Sequence, residues 1–260
     1  MITGDIFNIY RRSGRVMIMN QPGICDYTNY NYNDEFWKKT NREYEHLLEV
    51  SMVNTLLSKH ADKKNTIMDA GCGFGRLYPS YNGIFTNYIL VDYAQSLLDE
   101  AKQTLGQSQN ISFIQQSLYD LEMEKKVDAI ISIRTLHHLH DVEPLFKRLY
   151  NSLSDSGILI LDIPNYYHIK NRIKSPFIKR IPKVKQSENF FNYDPDYIIR
   201  HLKKCGFSVI DQRCLGLFRS PVIKKLISPK LLVGIETYLN RWIKWLTITP
   251  SVVIVVKKCG

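Results

Sequence analysis

Short, nearly continuous apolar runs alternate along the chain with stretches whose apolar residues are spaced three or four positions apart. The continuous runs are typical of strands buried in a parallel sheet, and VDAIISIR at residues 127–134 is one of the clearest. Strands are predicted at residues 66–70, 87–92, 111–116, 127–134, 157–163, 207–214 and 251–258.

Helical spacing is found between these strands. Helices are predicted at residues 35–59, 94–105, 141–153 and 194–206, and Gly106 follows the second of them as a helix-ending residue. Strands that alternate with helices of this length predict an α/β fold, a parallel sheet with helices on both faces. Ligands bind such sheets where the strands end, so candidate chemistry is expected after residues 70, 92, 116, 134 and 163.

Composition limits the class of protein. A chain of 260 residues that is 44% hydrophobic can bury one sizeable core, and it contains no apolar run of membrane-spanning length. The N-terminus has no apolar segment of the signal-peptide kind. Five cysteines, an odd number with no CxxC pair, predict reduced thiols in a cytoplasmic protein, without a disulfide framework or zinc site.

A glycine-rich loop follows the first predicted core strand. Gly71, Gly73 and Gly75 form GxGxG, which differs from the dinucleotide fingerprint GxGxxG and from the phosphate-binding P-loop. Asp69, just before the loop, would repel a phosphate but attract a cation. Asp92 ends the next strand, at the position of an acid that accepts hydrogen bonds from ribose hydroxyls. These residues indicate a positively charged, phosphate-free adenosine derivative, and S-adenosylmethionine fits that description.

Four stretches resemble successive motifs of the Rossmann-like (class I) S-adenosylmethionine-dependent methyltransferases, of the type that acts on small molecules. They are IMDAGCGFGR, LVDYAQSLLDEAKQ, SIRTLHHLHDVEPLFKRLYNSLSDSGILIL and LKKCGFSVI, and the resemblance covers roughly residues 35–215 together with the last strand. It implies a seven-stranded, mostly parallel sheet with the last strand antiparallel. The chain would then be one domain with a cap segment at 1–60, a cofactor-binding core at 65–163, a basic lid at 164–193, and a C-terminal part at 194–260 that contains an amphipathic insert at 215–249.

The resemblance also implies roles for residues around the loop. Residues 71–75, including Cys72, would pass under the methionyl and ribose groups of the cofactor. Asp69 would contact the cofactor directly or bind the amides of the loop. Asp92 would hold the ribose hydroxyls, and Tyr93 would lie against the adenine.

Further cofactor residues are implied on later strands and in the cap. Ser117 and Leu118 would flank the adenine edge, although many family members carry an aspartate there. Arg134, at the end of the fourth strand, would line the methionyl side. Arg42 and Tyr32 belong to the cap that closes over the cofactor in relatives, where an arginine could pair with the methionine carboxylate.

His137 and His138 follow the fourth strand, where the acceptor should bind. A neutral imidazole there could act as a general base for a hydroxyl nucleophile. Histidines are common at this position in the family whatever the acceptor, so packing is the alternative. Methyl transfer can also proceed by proximity alone. A metal site is not expected, because adjacent histidines do not easily chelate together.

Two inserts carry the open questions about partners. Residues 165–193 contain seven Lys or Arg and one acid, within a chain of net charge +10, so they are either a solvated loop or a lid over an anionic group. Residues 215–249 contain one apolar helix face, which either packs on the protein, the favoured interpretation, or lies at a membrane interface. This face comprises Ile235, Tyr238, Leu239, Trp242, Ile243 and Leu246.

Together these observations predict an enzyme that transfers a methyl group from S-adenosylmethionine to a small, anionic or amphipathic acceptor, preferably by O-methylation. A basic chain, with pI ≈ 9.3, leaves a tRNA or rRNA base methyltransferase as an alternative, but no nucleic-acid module is recognisable and nucleic acid is not the expected partner. The remaining alternative is a non-catalytic cofactor-binding partner subunit.

Overall fold

A twisted seven-stranded sheet runs through the centre of the protein. The computed structural model describes residues 9–12, 15–18, 42–174, 184–187 and 190–259, so Tyr32 and most of the cap lie outside the described residues. The strand order in the large sheet is β10-β11-β7-β6-β3-β4-β5. Only β11 runs antiparallel to its neighbours, β10 and β7, and the predicted sheet with one antiparallel strand is confirmed.

The large sheet consists of β3 (Thr66–Ala70), β4 (Asn87–Asp92), β5 (Ile111–Gln115), β6 (Val127–Ser132), β7 (Leu153–Pro164), β10 (Phe207–Leu215) and β11 (Ser251–Lys258). Two antiparallel pairs stand apart from it: β1 (Ile9–Arg12) with β2 (Arg15–Ile18), and β8 (Val184–Ser187) with β9 (Phe190–Tyr193). The helices are α1 (Glu43–His60), α2 (Tyr78–Tyr81), α3 (Gln95–Leu105), α4 (Val142–Ser152), α5 (Ile169–Lys174), α6 (Pro195–Lys204), α7 (Pro221–Leu226) and α8 (Pro229–Ile243).

The sheet separates two hydrophobic cores, because successive side chains of a strand point to opposite faces. In β3, Met68 belongs to the core that also contains α4 and α6 residues, whereas Ile67 belongs to the core with α1. In β11, Ile254 and Val255 divide in the same way. This arrangement explains why the central strands are apolar at nearly every position.

The boundaries of the predicted core elements agree with the structure to within a few residues. The predicted helix 35–59 corresponds to α1, which begins at Glu43, while residues 35–41 lie outside the described part of the chain. The shorter elements were not predicted, and they include α2, α5, α7 and both small strand pairs. Each is four to six residues long, and the helices among them are too short for helical periodicity to identify.

The amphipathic insert is helical, but its favoured interpretation as a packed apolar face is wrong for part of that face. Tyr238, Trp242 and Leu246 are exposed, at 58%, 76% and 50% of their surface. The buried face of α8 instead contains Leu232 and two polar residues, Glu236 and Asn240. Distant partners determine this orientation, and sequence periodicity does not reveal them.

Candidate active site

A pocket of about 920 Å³, part of it open to solvent, lies where the parallel strands end. Ten of the predicted site residues line it: Asp69, Gly71, Cys72, Gly73, Asp92, Tyr93, Ser117, Leu118, Arg134 and His138. The structure therefore gathers most of the predicted residues around a single space. Phe74, within the predicted loop 71–75, also lines it, and the lining residues that were not predicted are Arg76, Leu77, Leu97, Gln116, Ile133, Thr135 and Leu139.

The glycine loop brings bare backbone to the wall of this pocket. Gly71 has φ +83°, and a Cβ there would lie 2.4 Å from the Thr135 Oγ1, so a side chain cannot be accommodated. Gly73 has φ +55°, and a Cβ built on it meets nothing within 4 Å. Because Gly73 lines the pocket, that open space is where a ligand can approach the main chain.

Gly75 serves the fold rather than the pocket. A Cβ at this position would lie 2.9 Å from the Cδ1 of Leu105, on α3. Gly75 was predicted as a cofactor residue, but it is not among the residues that line the pocket. Its small size allows α3 to pack closely behind the loop.

Asp92 is held at the base of the loop by two backbone amides. Gly73 N donates to Oδ2 at 2.7 Å, and Ala94 N donates to Oδ1 at 2.9 Å. Burial raises the pKa of this carboxyl group, while the amide hydrogen bonds oppose the shift. Each carboxylate oxygen has two lone pairs, so both oxygens keep acceptor capacity for hydroxyl groups in the pocket. This donor and acceptor chemistry fits a ribose.

Asp69 is 2% exposed and lies beneath the loop. Its Oδ2 accepts a hydrogen bond from the Tyr81 hydroxyl at 2.9 Å. Burial raises the pKa of Asp69 to about 7, against the opposing effects of that hydrogen bond and of Arg76. A cationic ligand would favour the charged carboxylate, so the site suits a sulfonium better than a phosphate.

Cys72 contributes size rather than reactivity to the loop. Burial raises the pKa of its thiol well above the ordinary value, and the nearby Asp92 and Asp69 act in the same direction. A protonated thiol is a poor nucleophile.

Tyr93, Ser117 and Leu118, which were predicted to contact the adenine, all line the pocket. Leu97, in α3, also lines the pocket. Gln116 donates its side-chain amide to the Asp120 carbonyl at 2.9 Å. The side chains available here are therefore mostly apolar or aromatic, which suits a flat base.

A buried carboxylate, Glu49, holds two arginines that line the pocket, Arg76 and Arg134. It lies in α1 with 2% of its surface exposed, 2.5 Å from Arg76 Nη2 and 2.5 Å from Arg134 Nη2. Burial alone would raise the pKa of Glu49, but Arg134 and Arg76 together outweigh burial and lower it. Sequence reasoning missed Glu49, because its partners lie 27 and 85 residues away.

Arg134 is also fixed through its backbone. It has φ +59°, and its N–H donates to Asp162 Oδ1 at 2.7 Å. A positive φ is uncommon for a residue other than glycine and marks a position held by its surroundings. The guanidinium therefore reaches the pocket from a defined position.

The predicted cap residues are placed differently. Arg42, which directly precedes α1, is half-buried and is not among the residues that line the pocket. Tyr32 lies outside the described residues. Their proposed contacts with the cofactor remain predictions.

The two adjacent histidines form a short 3₁₀ turn, Leu136–His138. Their ring centroids are 3.9 Å apart, and Phe190 packs against both rings at 5.1 and 5.4 Å. Only His138 lines the pocket. Burial lowers the pKa of both, that of His138 to about 4, so both rings are neutral at pH 7.

The comparisons with known proteins agree with this geometry. Residues 68–161 match the family model described as a methyltransferase domain. The chain is 27% identical over 177 residues to malonyl-[acyl-carrier protein] O-methyltransferase 1 of Ilyobacter polytropus, covering 66% of this chain and 65% of that protein. It is 25% identical over 118 residues to a ubiquinone biosynthesis O-methyltransferase of Rickettsia akari, covering 45% and 46%. The matches thus span less than two thirds of these relatives.

Solved structures show the same fold at low sequence identity. An S-adenosylmethionine-dependent methyltransferase of Clostridium acetobutylicum superposes with a TM-score of 0.58 and 17% identity, over 88% of this chain and 96% of that one. The N-methyltransferase NodS of Bradyrhizobium japonicum, in complex with S-adenosyl-L-homocysteine, gives 0.58 and 13%, over 88% and 94%.

The sheet order defines a Rossmann-like fold, with the glycine loop and the strand-end carboxylate of Asp92 at a pocket where the parallel strands end. The methyltransferase domain matched at residues 68–161, together with the methyltransferases among the relatives and solved structures, supports the resemblance to the class I S-adenosylmethionine-dependent methyltransferases seen in the sequence. The cofactor of this family is S-adenosylmethionine. Among the described residues, no helix is long and apolar enough to cross a membrane, and no group of His, Cys, Asp and Glu is arranged to hold a metal ion.

Proposed function

We propose that this protein transfers a methyl group from S-adenosylmethionine to an oxygen of a small-molecule acceptor. The observation that carries the proposal is the pocket itself, where the open backbone at Gly73 and the carboxylate of Asp92 face the same space. Two relatives named as O-methyltransferases support oxygen as the accepting atom.

The residues present fit this cofactor. The carboxylate of Asp92 would accept hydrogen bonds from the ribose hydroxyls, while Tyr93, Leu97 and Leu118 would enclose the adenine. Asp69 would place negative charge beneath the loop, near a cationic sulfur. When bound, the cofactor supplies an electrophilic methyl group on a good leaving group, so the protein needs to provide position more than acid–base chemistry.

The acceptor would bind between Arg134 and His138, beyond the methionyl end of the pocket. Both residues line the pocket, and both are fixed, Arg134 by Glu49 and Asp162 and His138 by stacking. Because His138 has a pKa lowered to about 4, it is a weak base at neutral pH. We therefore assign catalysis to proximity, with His138 orienting the acceptor by hydrogen bonding or contact.

The acceptor is further proposed to carry an anionic group. Support comes from the sequence of the lid, which has a net charge of +6 within residues 165–193. A lid that only excluded water would not require this charge. In the described part of the lid, Lys185 is exposed, and its Nζ lies 2.7 Å from the Tyr166 hydroxyl.

The cofactor is tested by calorimetry. S-adenosylmethionine and S-adenosylhomocysteine should both bind, whereas NAD should not, because the loop lacks the spacing of the dinucleotide fingerprint. NAD binding in preference to these ligands would contradict the assignment. Binding of both ligands without turnover on any acceptor would instead favour a non-catalytic partner subunit.

The acceptor is sought by profiling metabolites after incubation with an isotope-labelled methyl donor, with and without the protein. A labelled small molecule supports the proposal, while label found only in tRNA or rRNA would favour the nucleic-acid alternative.

Once the acceptor is known, the charge of the lid can be tested with a variant in which Lys179, Arg180, Lys183 and Lys185 are changed to Gln. This variant should have a higher KM for the acceptor, and that KM should depend less on salt. If the variant has the same KM as the parent at low salt and again at high salt, the positive charge of the lid does not contribute to binding the acceptor.

A further inference from the structure

Exposed large hydrophobic side chains are concentrated in one part of the described chain. Nine of the ten lie in α5, α7, α8 and the turn after α8, and only Ile210 lies elsewhere. We call these nine the apolar surface: Ile169, Ile173, Val222, Leu226, Leu231, Tyr238, Trp242, Trp245 and Leu246. Scattered exposed hydrophobic residues are ordinary, but such concentration indicates an interaction site.

Helix α8 presents its apolar face away from the protein. Leu231, Tyr238 and Trp242 are spaced by seven and four residues, so they share one helix face, and Trp245 follows three residues later in the adjoining turn. The inward face carries the buried polar residues Glu236 and Asn240 instead. This is the reverse of a helix whose apolar face packs on its own domain.

Hydrogen bonds hold α8 in this orientation. Glu236 accepts from the backbone amides of Gly216 and Leu217 at 2.7 and 2.9 Å and from the Tyr44 hydroxyl. Asn240 both accepts from and donates to the backbone of Cys214, at 2.8 and 3.1 Å. Turning the apolar face inward would break these hydrogen bonds and leave their buried donors and acceptors without partners.

The short helix α5 extends the apolar surface. Ile169 N donates to the Ile248 carbonyl at 2.9 Å, and Arg172 Nη2 lies 3.0 Å from the Thr247 Oγ1. These contacts place α5 directly beside the segment that follows Leu246. The exposed residues Ile169 and Ile173 are therefore neighbours of the α8 face.

Charge distinguishes between possible occupants of the apolar surface. Segments 165–174 and 221–249 contain eight Lys or Arg and a single acid, Glu236, which is buried. Lys224 and Lys244 pair inward with Glu45 and Asp211. Where the structure describes exposure in these segments, the exposed basic residues are Lys170, Arg172, Lys225, Lys230 and Arg241. A second copy of this chain would bring like charges together, whereas an anionic surface would complement them.

The side-chain types match an interface between lipid and water. Arg241 lies over the Tyr238 ring at 5.7 Å, and Lys244 lies over the Trp245 ring at 5.3 Å. Tryptophan and tyrosine prefer the headgroup level of a bilayer, and flanking lysine and arginine attract anionic headgroups. We propose that the apolar surface docks the protein on a membrane that contains anionic phospholipids, with α8 lying in the plane of the interface.

The experiment is co-sedimentation of the full chain with phosphatidylcholine vesicles, prepared with and without phosphatidylglycerol. The protein should bind the vesicles that contain phosphatidylglycerol, and the double variant Trp242→Ser/Trp245→Ser should weaken that binding by at least about tenfold, the scale for losing a buried large side chain. The matched control is Ile210→Ser, the exposed hydrophobic residue outside the surface, which should bind as the parent does. Unchanged thermal unfolding midpoints establish that all variants fold.

Charge is tested with two triple variants that remove the same net charge. Lys225→Gln/Lys230→Gln/Arg241→Gln should reduce binding to phosphatidylglycerol vesicles strongly, because each basic residue contributes about 1 kcal/mol, or about fivefold, near an anionic surface. Lys63→Gln/Lys203→Gln/Lys204→Gln, at exposed positions elsewhere, should reduce it much less. Equal losses in both triple variants, or full binding by the tryptophan variant, would show that only the overall basic charge acts and would overturn the proposal. Failure of the native protein to bind either kind of vesicle would overturn the proposal as well. If the native protein instead self-associates and the tryptophan variant does not, the apolar surface would be assigned to contact with a second copy of the chain.

Discussion

The cofactor loop and helix α8 differ in what determines the direction of their side chains. In the loop, positive φ angles at Gly71 and Gly73 and the amide hydrogen bonds to Asp92 are all local or lie between neighbouring strands. In α8, orientation depends on Tyr44 and Cys214, which are distant in sequence. A local constraint can be recognised from residue types and spacing, whereas a distant one requires the folded structure.

The same contrast exists within the pocket. Its proposed cofactor side is built from backbone and from residues that directly follow strands. Its proposed acceptor side depends on Glu49, which comes from α1 and holds Arg134 and Arg76. We expect disruption of this ion-pair cluster to have the largest effect on the protein, a loss of stability, because it leaves buried charges uncompensated.

Glu49→Gln should lower the free energy of unfolding by about 3–5 kcal/mol, the cost of breaking a buried ion pair by removing one partner. Two guanidinium groups would then face each other without their shared carboxylate. Chemical denaturation measures the effect, and Glu43→Gln, at an exposed position of the same helix, is the control. A loss below about 0.5 kcal/mol, the range of ordinary surface substitutions, would show that solvent already screens the cluster.

Asp92→Ala should weaken S-adenosylmethionine binding by about 1–3 kcal/mol, the range for hydrogen bonds to a charged group. The substitution removes the proposed ribose acceptor and also the acceptor for the Gly73 amide. Calorimetry measures the affinity, with Asp99→Ala on the exposed side of α3 as the control. An unchanged affinity would remove Asp92 from the ribose site.

The contrast between local and distant constraints explains which parts of the fold and of the site can be predicted from the sequence. The central strands were predicted well because both of their faces are buried, which makes them apolar throughout. Gly71 and Asp92 were found because few residue types satisfy a positive φ or a strand-end acceptor. Glu49 could not be found, since a glutamate within a charged helix resembles any solvated residue. The apolar face of α8 was recognised, but its outward direction depends on the hydrogen bonds of Glu236.

Asp69 allows a smaller effect to be predicted from pH. Its pKa is raised to about 7, so the carboxyl group is mostly neutral below that pH and negatively charged above it. S-adenosylmethionine, which carries a sulfonium, should therefore bind more tightly as pH rises through about 7. We expect a severalfold change, as for nearby charges in a partly screened site.

The control for this titration is the product of the reaction. S-adenosylhomocysteine has the same ribose, base, amino and carboxylate groups but a neutral sulfur, so its affinity should lack this increase. Asp69→Asn should make the two pH profiles parallel. If both ligands show the same profile with the native protein, the titrating group is not near the sulfur.

The smallest effect is predicted for His138. With a pKa lowered to about 4, its ring is neutral at pH 7 but accepts a proton poorly, so His138→Ala should reduce kcat less than threefold once the acceptor is known. A required general base would instead give a loss of about 10²–10⁴-fold.

The pH profile of kcat separates these cases further. If deprotonated His138 is required, kcat should fall as pH decreases through about 4, and that fall should disappear in His138→Ala. His137→Ala is the matched control, because His137 stacks on the same Phe190 ring but does not line the pocket. Equal small losses in both variants would indicate packing, whereas a large loss confined to His138→Ala would show that proximity alone does not account for catalysis.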